Sequence, residues 1–186
     1  KGGDDDRLRG RIERAAKRLQ DAATADRRPI LVLEFRRVDE DAADTPFERA
    51  LAVARFLVDE DLAGVRTIAF LPDSLSGHAT LLALACEELA LAPDAEFGAA
   101  TAGDDPARGV EPGVLALYQQ IAASRRAAPP AVVTAIVDRS VALLPAETDE
   151  GVRLLTETET EGSGNAVASG DREVPTPAGA RPTLTR

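Results

Sequence analysis

Two short apolar runs constrain this chain most: "ILVLEF" at residues 30–35 and "RTIAFL" at 66–71. Each is rich in β-branched and large apolar residues and lacks the strict alternation of a strand with one wet face. Both therefore read as buried strands of a parallel sheet. Between them lie a charged loop, "RRVDEDAAD", and a helical pattern. Thr45 caps that helix, with Pro46 at its first position and Glu48 at its third, so that hydroxyl and carboxylate each meet a free backbone N–H. Phe47, Leu51, Ala54, Phe56 and Leu57 form its apolar face, and it stops near Asp61. Strand, helix and strand in this order imply a right-handed crossover.

The flanks extend the same pattern. Leu8, Ile12, Ala15, Ala16 and Leu19 recur at helical spacing, which predicts an amphipathic helix from Arg7 to the breaker "ADRRP"; the preceding "KGGDDD" reads as a flexible polar lead. After the second strand, Ser76–Ala90 reads as a nearly apolar helix, giving the order α-β-α-β-α. "LALAP" and "EFGAA" read as short extended pieces around the Pro93-Asp94 turn, and "TAGDDPARGVEPG" as a loop. Helices follow at Val114–Arg125 and Pro130–Val137. "SVALLPAE" and "GVRLLTETE" form a hairpin around "TDEG". From Glu161 the chain is rich in Gly, Ser, Pro and Thr, with a final short strand at "TLTR". The expected organisation is a helix over 1–27, an α/β domain over 28–160 and an irregular tail over 161–186.

Composition narrows the function classes. The length of 186 residues suits one domain with a real core. A net charge of −10 repels a phosphate backbone, so nucleic acid is not an expected partner. The single cysteine, Cys86, can form neither an internal disulfide nor a zinc site alone and reads as a core residue. No run of about 20 apolar residues occurs, so no segment within the chain is expected to span a membrane. Methionine is absent even at position 1, as expected of a trimmed or mature fragment, in which any signal peptide or membrane segment would lie outside the sequence. No cofactor or metal site is read from the sequence.

One turn could carry chemistry. Strand 66–71 breaks at Pro72-Asp73-Ser74, and Ser76-Gly77-His78 then opens the next helix. A helix N-terminus offers free N–H groups and partial positive charge to a developing oxyanion, and a glycine lets substrate approach. The same residues serve equally as a plain helix cap. Ser76 is the candidate nucleophile, with Gly77 and His78 beside it.

The succession of strand, Ser/Gly turn, "TLLALACEELALAP", "DAEFGAA" and "AIVDRSVAL" resembles the ClpP/crotonase superfamily, nearest to its NfeD-type membrane-bound serine proteases, relatives of signal peptide peptidase A. The resemblance covers residues 28 to 145. It implies a ClpP/crotonase-like parallel sheet with flanking helices, self-association, and an extracytoplasmic or periplasmic setting beside membrane segments outside this chain, with a cytoplasmic setting as the alternative.

The resemblance also implies a catalytic serine activated by a downstream lysine within about 3 Å. Here the two lysines, Lys1 and Lys17, precede the first strand, and "DDPARGVEPG" offers only Arg108, which stays protonated. His78 lies two residues after Ser76, and on a helix such positions point about 200° apart. It therefore reads as a polar cap or surface residue. Ungapped matching puts Gly77, not Ser76, at the family's serine. "LEF" leads into "RRVDEDAADTPFERA" instead of a Gly-Gly oxyanion turn. The expectation is a catalytically inactive homologue acting as an interaction or scaffolding domain, with a protein or peptide partner. The alternatives are an active serine peptidase using Ser76 with His78 or a neighbouring subunit's group as base, and a crotonase-like acyl-thioester enzyme. For the latter, Glu87, Glu88, Asp94 and Glu96 are the carboxylates at hand, although Glu87 and Glu88 read as the solvated end of a helix.

Overall fold

The two apolar runs lie side by side in a parallel sheet. β1 (Ile30–Glu34), β2 (Arg66–Leu71) and β3 (Glu88–Leu91) are ordered β1-β2-β3, with Val32 beside Ile68 and Phe70 beside Ala90. The computed structural model describes residues 3–24, 27–36, 45–104, 110–148 and 151–159. Around the sheet stand α1 (Gly3–Ala22), α2 (Phe47–Leu57), α3 (Thr80–Leu84), α4 (Pro112–Arg125) and α5 (Pro130–Val137). An antiparallel hairpin, β4 (Leu143–Thr148) and β5 (Gly151–Thr156), packs on α5. The chain is thus a mixed α/β protein with a three-stranded parallel sheet flanked by helices.

The core lies between sheet and helices. Leu57, Leu62, Val65, Leu71, Leu81, Leu84, Tyr118 and Val137 are fully buried in it, each large aliphatic contributing about 1.5–3 kcal/mol. α1 adds Ile12 and Ala16 to the same cluster. Cys86 is buried there too, as expected of a small core residue.

Several expectations give way to the structure. The helix read over Ser76–Ala90 is three elements: a 3₁₀ turn at Gly77–Ala79, the short α3, and β3. Ala, Leu and Glu favour helix locally, but Thr67, Ala69 and Leu71 on β2 would otherwise leave buried peptide groups unpaired. The ladder with Glu88–Leu91 satisfies them, so "LALAP" is extended as far as Leu91. α1 begins at Gly3, so residues 3–6, read as a polar lead, are helical. Thr45 does not cap α2: Pro46 is the N-cap, with no side-chain cap bond. Its carbonyl accepts from Arg49 N and Ala50 N, both at 3.1 Å. Because the helix starts one residue late, Glu48 falls at the second position and the box cannot close. Ala79 and Leu82, within the stretch read as a nearly apolar helix, are half-buried.

β1 is the largest departure. Among the described residues it is not covered on both faces: Ile30 is 49 % and Val32 53 % exposed. Leu31 and Leu33 turn the other way and pack on the core. The tail read over 161–186, its strand at "TLTR", Arg108 and most of the loop "RRVDEDAAD" lie outside the described residues.

Candidate functional site

The Ser76-Gly77-His78 turn is held by the segment that follows β3. Leu75 and Phe97 form a parallel bridge. Leu75 N donates to Glu96 O at 2.8 Å, and Gly98 N to Leu75 O at 3.2 Å. Ser74 Oγ accepts from Glu96 N at 2.9 Å. Gly77 N donates to Ala99 O at 3.0 Å, so this amide is engaged within the protein. Gly77 has φ +68°, a left-handed conformation that a side chain would strain. Ala99 adopts φ +51° without being glycine, held there by its bonded neighbours. Beyond it, Ala100 N donates to Ile136 O and Thr101 Oγ1 to Val137 O, which tie this segment to the end of α5.

The three candidate residues diverge. Ser76 is exposed, in extended conformation, and makes no side-chain cap bond, so it is neither a conventional cap nor paired with a base. His78 points inward: it is 6 % exposed, against the expectation of a surface or capping residue. Its Nδ1 lies 3.1 Å from the Tyr118 hydroxyl and its Nε2 3.4 Å from Asp104 Oδ2. Both ring nitrogens thus have partners other than Ser76. The ring of Phe47 lies 5.1 Å from the imidazole, tilted by 60°, and stacks near Tyr118.

Buried His78, Tyr118 and Thr80 and the half-exposed Asp104 lie in one polar chain. Asp104 Oδ2 is an ion-pair contact of Nε2, and the imidazole tautomer sets whether Nδ1 or the Tyr118 hydroxyl donates in the bond between them. Thr80 Oγ1 donates to Gly77 O at 2.8 Å and lies 3.4 Å from the Tyr118 hydroxyl. Burial pushes the Tyr118 phenol up to about 12, since a phenolate there would lose its water. The network anchors the turn through buried His78, Thr80 and Tyr118, with Asp104 at its exposed end. Tyr118, Asp104 and Thr80 were not singled out by the sequence, and Phe47 only as part of the apolar face of α2; a lone histidine gives no hint of a partner some forty residues away.

The carboxylates do not converge on the turn as a catalytic set. Glu87, read as the solvated end of a helix, is instead clamped by Arg28 at 2.7 and 3.1 Å, with Arg125 Nη1 at 3.6 Å. Arg28 also donates to Val65 O, and Arg125 to Leu57 O. These bonds fasten the start of β1 and the end of α4 to the approach to β3. Glu88 pairs with Arg66 on the sheet, while Asp94 and Glu96 are exposed at the edge of the turn segment. Lys17 is exposed on α1.

A cleft of about 390 Å³ opens between α1, α2 and α3, where Leu8, Pro46, Val53 and Leu82 meet the Asp5–Arg49 ion pair. Its lining does not include Ser76, Gly77 or His78. Among the described residues no group of three or more His, Cys, Asp or Glu side chains could hold a metal ion. Nor is any helix among them long and apolar enough to cross a membrane. Comparison with protein-family models, curated protein sequences and solved structures finds no match.

Proposed function

We propose that this chain is an interaction domain with a ClpP/crotonase-like fold and without serine-peptidase chemistry, related to the NfeD-type proteases by the segments between residues 28 and 145. One observation carries the reading: His78 is turned into the core toward Tyr118 and Asp104, while Ser76 stands exposed. A serine hydroxyl needs a base within hydrogen-bond reach, and losing one member of such a pair removes most of the catalysis. Gly77 N, an amide suited to an oxyanion, is already bonded to Ala99 O. The parallel order of β1, β2 and β3 and the strand-to-turn step after Leu71 support the fold assignment. The same resemblance carries self-association and an extracytoplasmic setting as parts of the proposal.

The test is intact mass after incubation with a fluorophosphonate, comparing the native chain with Ser76→Ala. The expected result is no adduct on folded protein. A stoichiometric adduct that disappears in Ser76→Ala means an activated serine and overturns the reading. Stabilisation by acyl-CoA, read as a ligand-dependent rise in melting temperature, would point to thioester chemistry instead.

A further inference from the structure

The charges of α1 are sorted along its length. Its acids gather in the first turn, at residues 4–6, where they suit the helix dipole. From Arg7 to Arg18 there are six basic residues and one acid, a net +5, so the other 174 residues carry −15. Arg7, Arg11, Arg14 and Arg18 follow the spacing i, i+4, i+7, i+11, which confines them to about 60° of the helix circumference. All four are exposed, as is Lys17 beside them. They stand opposite Ile12 and Ala16, which α1 buries in the core. The arginines thus form a ridge about 16 Å long on the side of the helix furthest from the core.

Among the described residues no ion pair reaches Arg11, Arg14, Lys17 or Arg18. The acids of the same helix are placed elsewhere. Asp5 is held by Arg49, and Asp6 by Arg9. Glu13 lies about 130° around the helix from the middle of the ridge. Asp21, past Arg18 near the helix end, pairs with neither Arg18 nor Lys17. Like charges at i, i+3 and i, i+4 oppose helix formation, and Arg7–Arg11, Arg11–Arg14, Arg14–Arg18 and Arg14–Lys17 are four such pairs. A face that met only water would avoid that cost by mixing its signs. The helix dipole accounts for the acids coming first, but not for the arginines sharing one face.

Shape selects among the anionic partners. Four arginines on one narrow helix face reach a single plane together, and each guanidinium offers a planar fork that matches a phosphate. A nucleic-acid groove would close around the helix and bring Glu13, Asp21 and the acidic body against its phosphates. An acidic peptide on a convex ridge leaves its ion pairs in water, where they contribute little. A plane of anionic headgroups touches the ridge alone and adds the potential of its whole surface. Charges behind the helix stand about 10 Å from that plane and are screened over about 8 Å at physiological salt. We propose that α1 docks this chain on an anionic phospholipid surface through Arg7, Arg11, Arg14, Lys17 and Arg18. Ile12 and Ala16 stay in the core, so the contact is electrostatic and reversible, without insertion. The proposal goes beyond the reading of the Ser76 turn and does not depend on it.

The experiment is co-sedimentation of the full chain with vesicles of phosphatidylcholine alone or with about 40 % phosphatidylglycerol, at about 0.05 M and about 0.5 M salt. Binding to the anionic vesicles is expected to be at least about tenfold tighter than to phosphatidylcholine, and to fall at least about tenfold at the higher salt. The triply substituted Arg11→Gln, Arg14→Gln, Arg18→Gln chain removes all four like-charge pairs. It should therefore melt no lower than the native chain while losing about tenfold or more in binding. Glu13→Gln removes the one acid among these residues and should bind at least as tightly as the native chain. No binding of folded protein to anionic vesicles overturns the proposal, as does equal binding to both vesicles or unchanged binding by the glutamine variant. Duplex DNA and polyglutamate, each at the same concentration of negative charge, supply the remaining outcomes. Tighter binding to either one than to the anionic vesicles makes that polyanion the partner class and also overturns the proposal.

Discussion

Raising the pH should destabilise this protein through one cysteine. Burial pushes the Cys86 thiol from its ordinary value of 9.0 up to about 12, against the smaller opposing pull of Arg125. Tyr118 is pushed by burial from 10.0 to about 12. The folded state holds both protons more tightly than the unfolded chain, so their contribution is complete below about pH 9 and is lost as pH rises toward 12. Between about pH 8 and about pH 10.5, linkage gives a loss of about 2 kcal/mol from Cys86 and about 0.8 kcal/mol from Tyr118. Few other groups confuse the reading, because the chain has one cysteine, one tyrosine and two lysines. Thermal unfolding by circular dichroism at the two pH values is the assay. At roughly 2–4 °C per kcal/mol, the native chain should lose about 6–11 °C, and Cys86→Ala only about 2–3 °C. Comparing each protein with itself removes the cost of the substitution. An equal fall in both proteins would refute the argument that thiol burial sets the alkaline limit.

Tyr118→Phe removes the hydroxyl beside His78 Nδ1 while Thr80 keeps its bond to Gly77 O, so it should cost about 1–3 kcal/mol in urea unfolding. Leu84→Ala opens a cavity at a fully buried site and should cost about 2–5 kcal/mol. Leu82→Ala, at the half-buried cleft wall, should cost less than half of that; equal costs would contradict the packing of α3.

Where local pattern and tertiary demand agree, the elements were legible. α5 sits where proline at its start and an apolar run to Val137 place it, and the hairpin closes around its turn. α4 begins two residues before its expected start because Pro112 suits a first helical turn. Where they disagree, the sheet prevails. Glu88–Leu91 is helix-forming by composition and strand by need, since β2 has a second side to satisfy. That need depends on pairing across some twenty residues, which no window on one segment contains. The candidate turn divides in the same way. The i, i+2 spacing of Ser76 and His78 already said that the two side chains part. That His78 turns inward to Tyr118 and Asp104 was not legible, because those partners come from α4 and from the segment after Ala99.

The run at 30–35 shows how far hydrophobicity alone can be taken. A continuous apolar strand reads as parallel because a parallel strand usually has helices on both faces, and the pairing with β2 is indeed parallel. The two-sided cover is a separate condition, fixed by how many layers the rest of the chain supplies. Here Leu31 and Leu33 meet the core, whereas Ile30 and Val32 stand half exposed among the described residues.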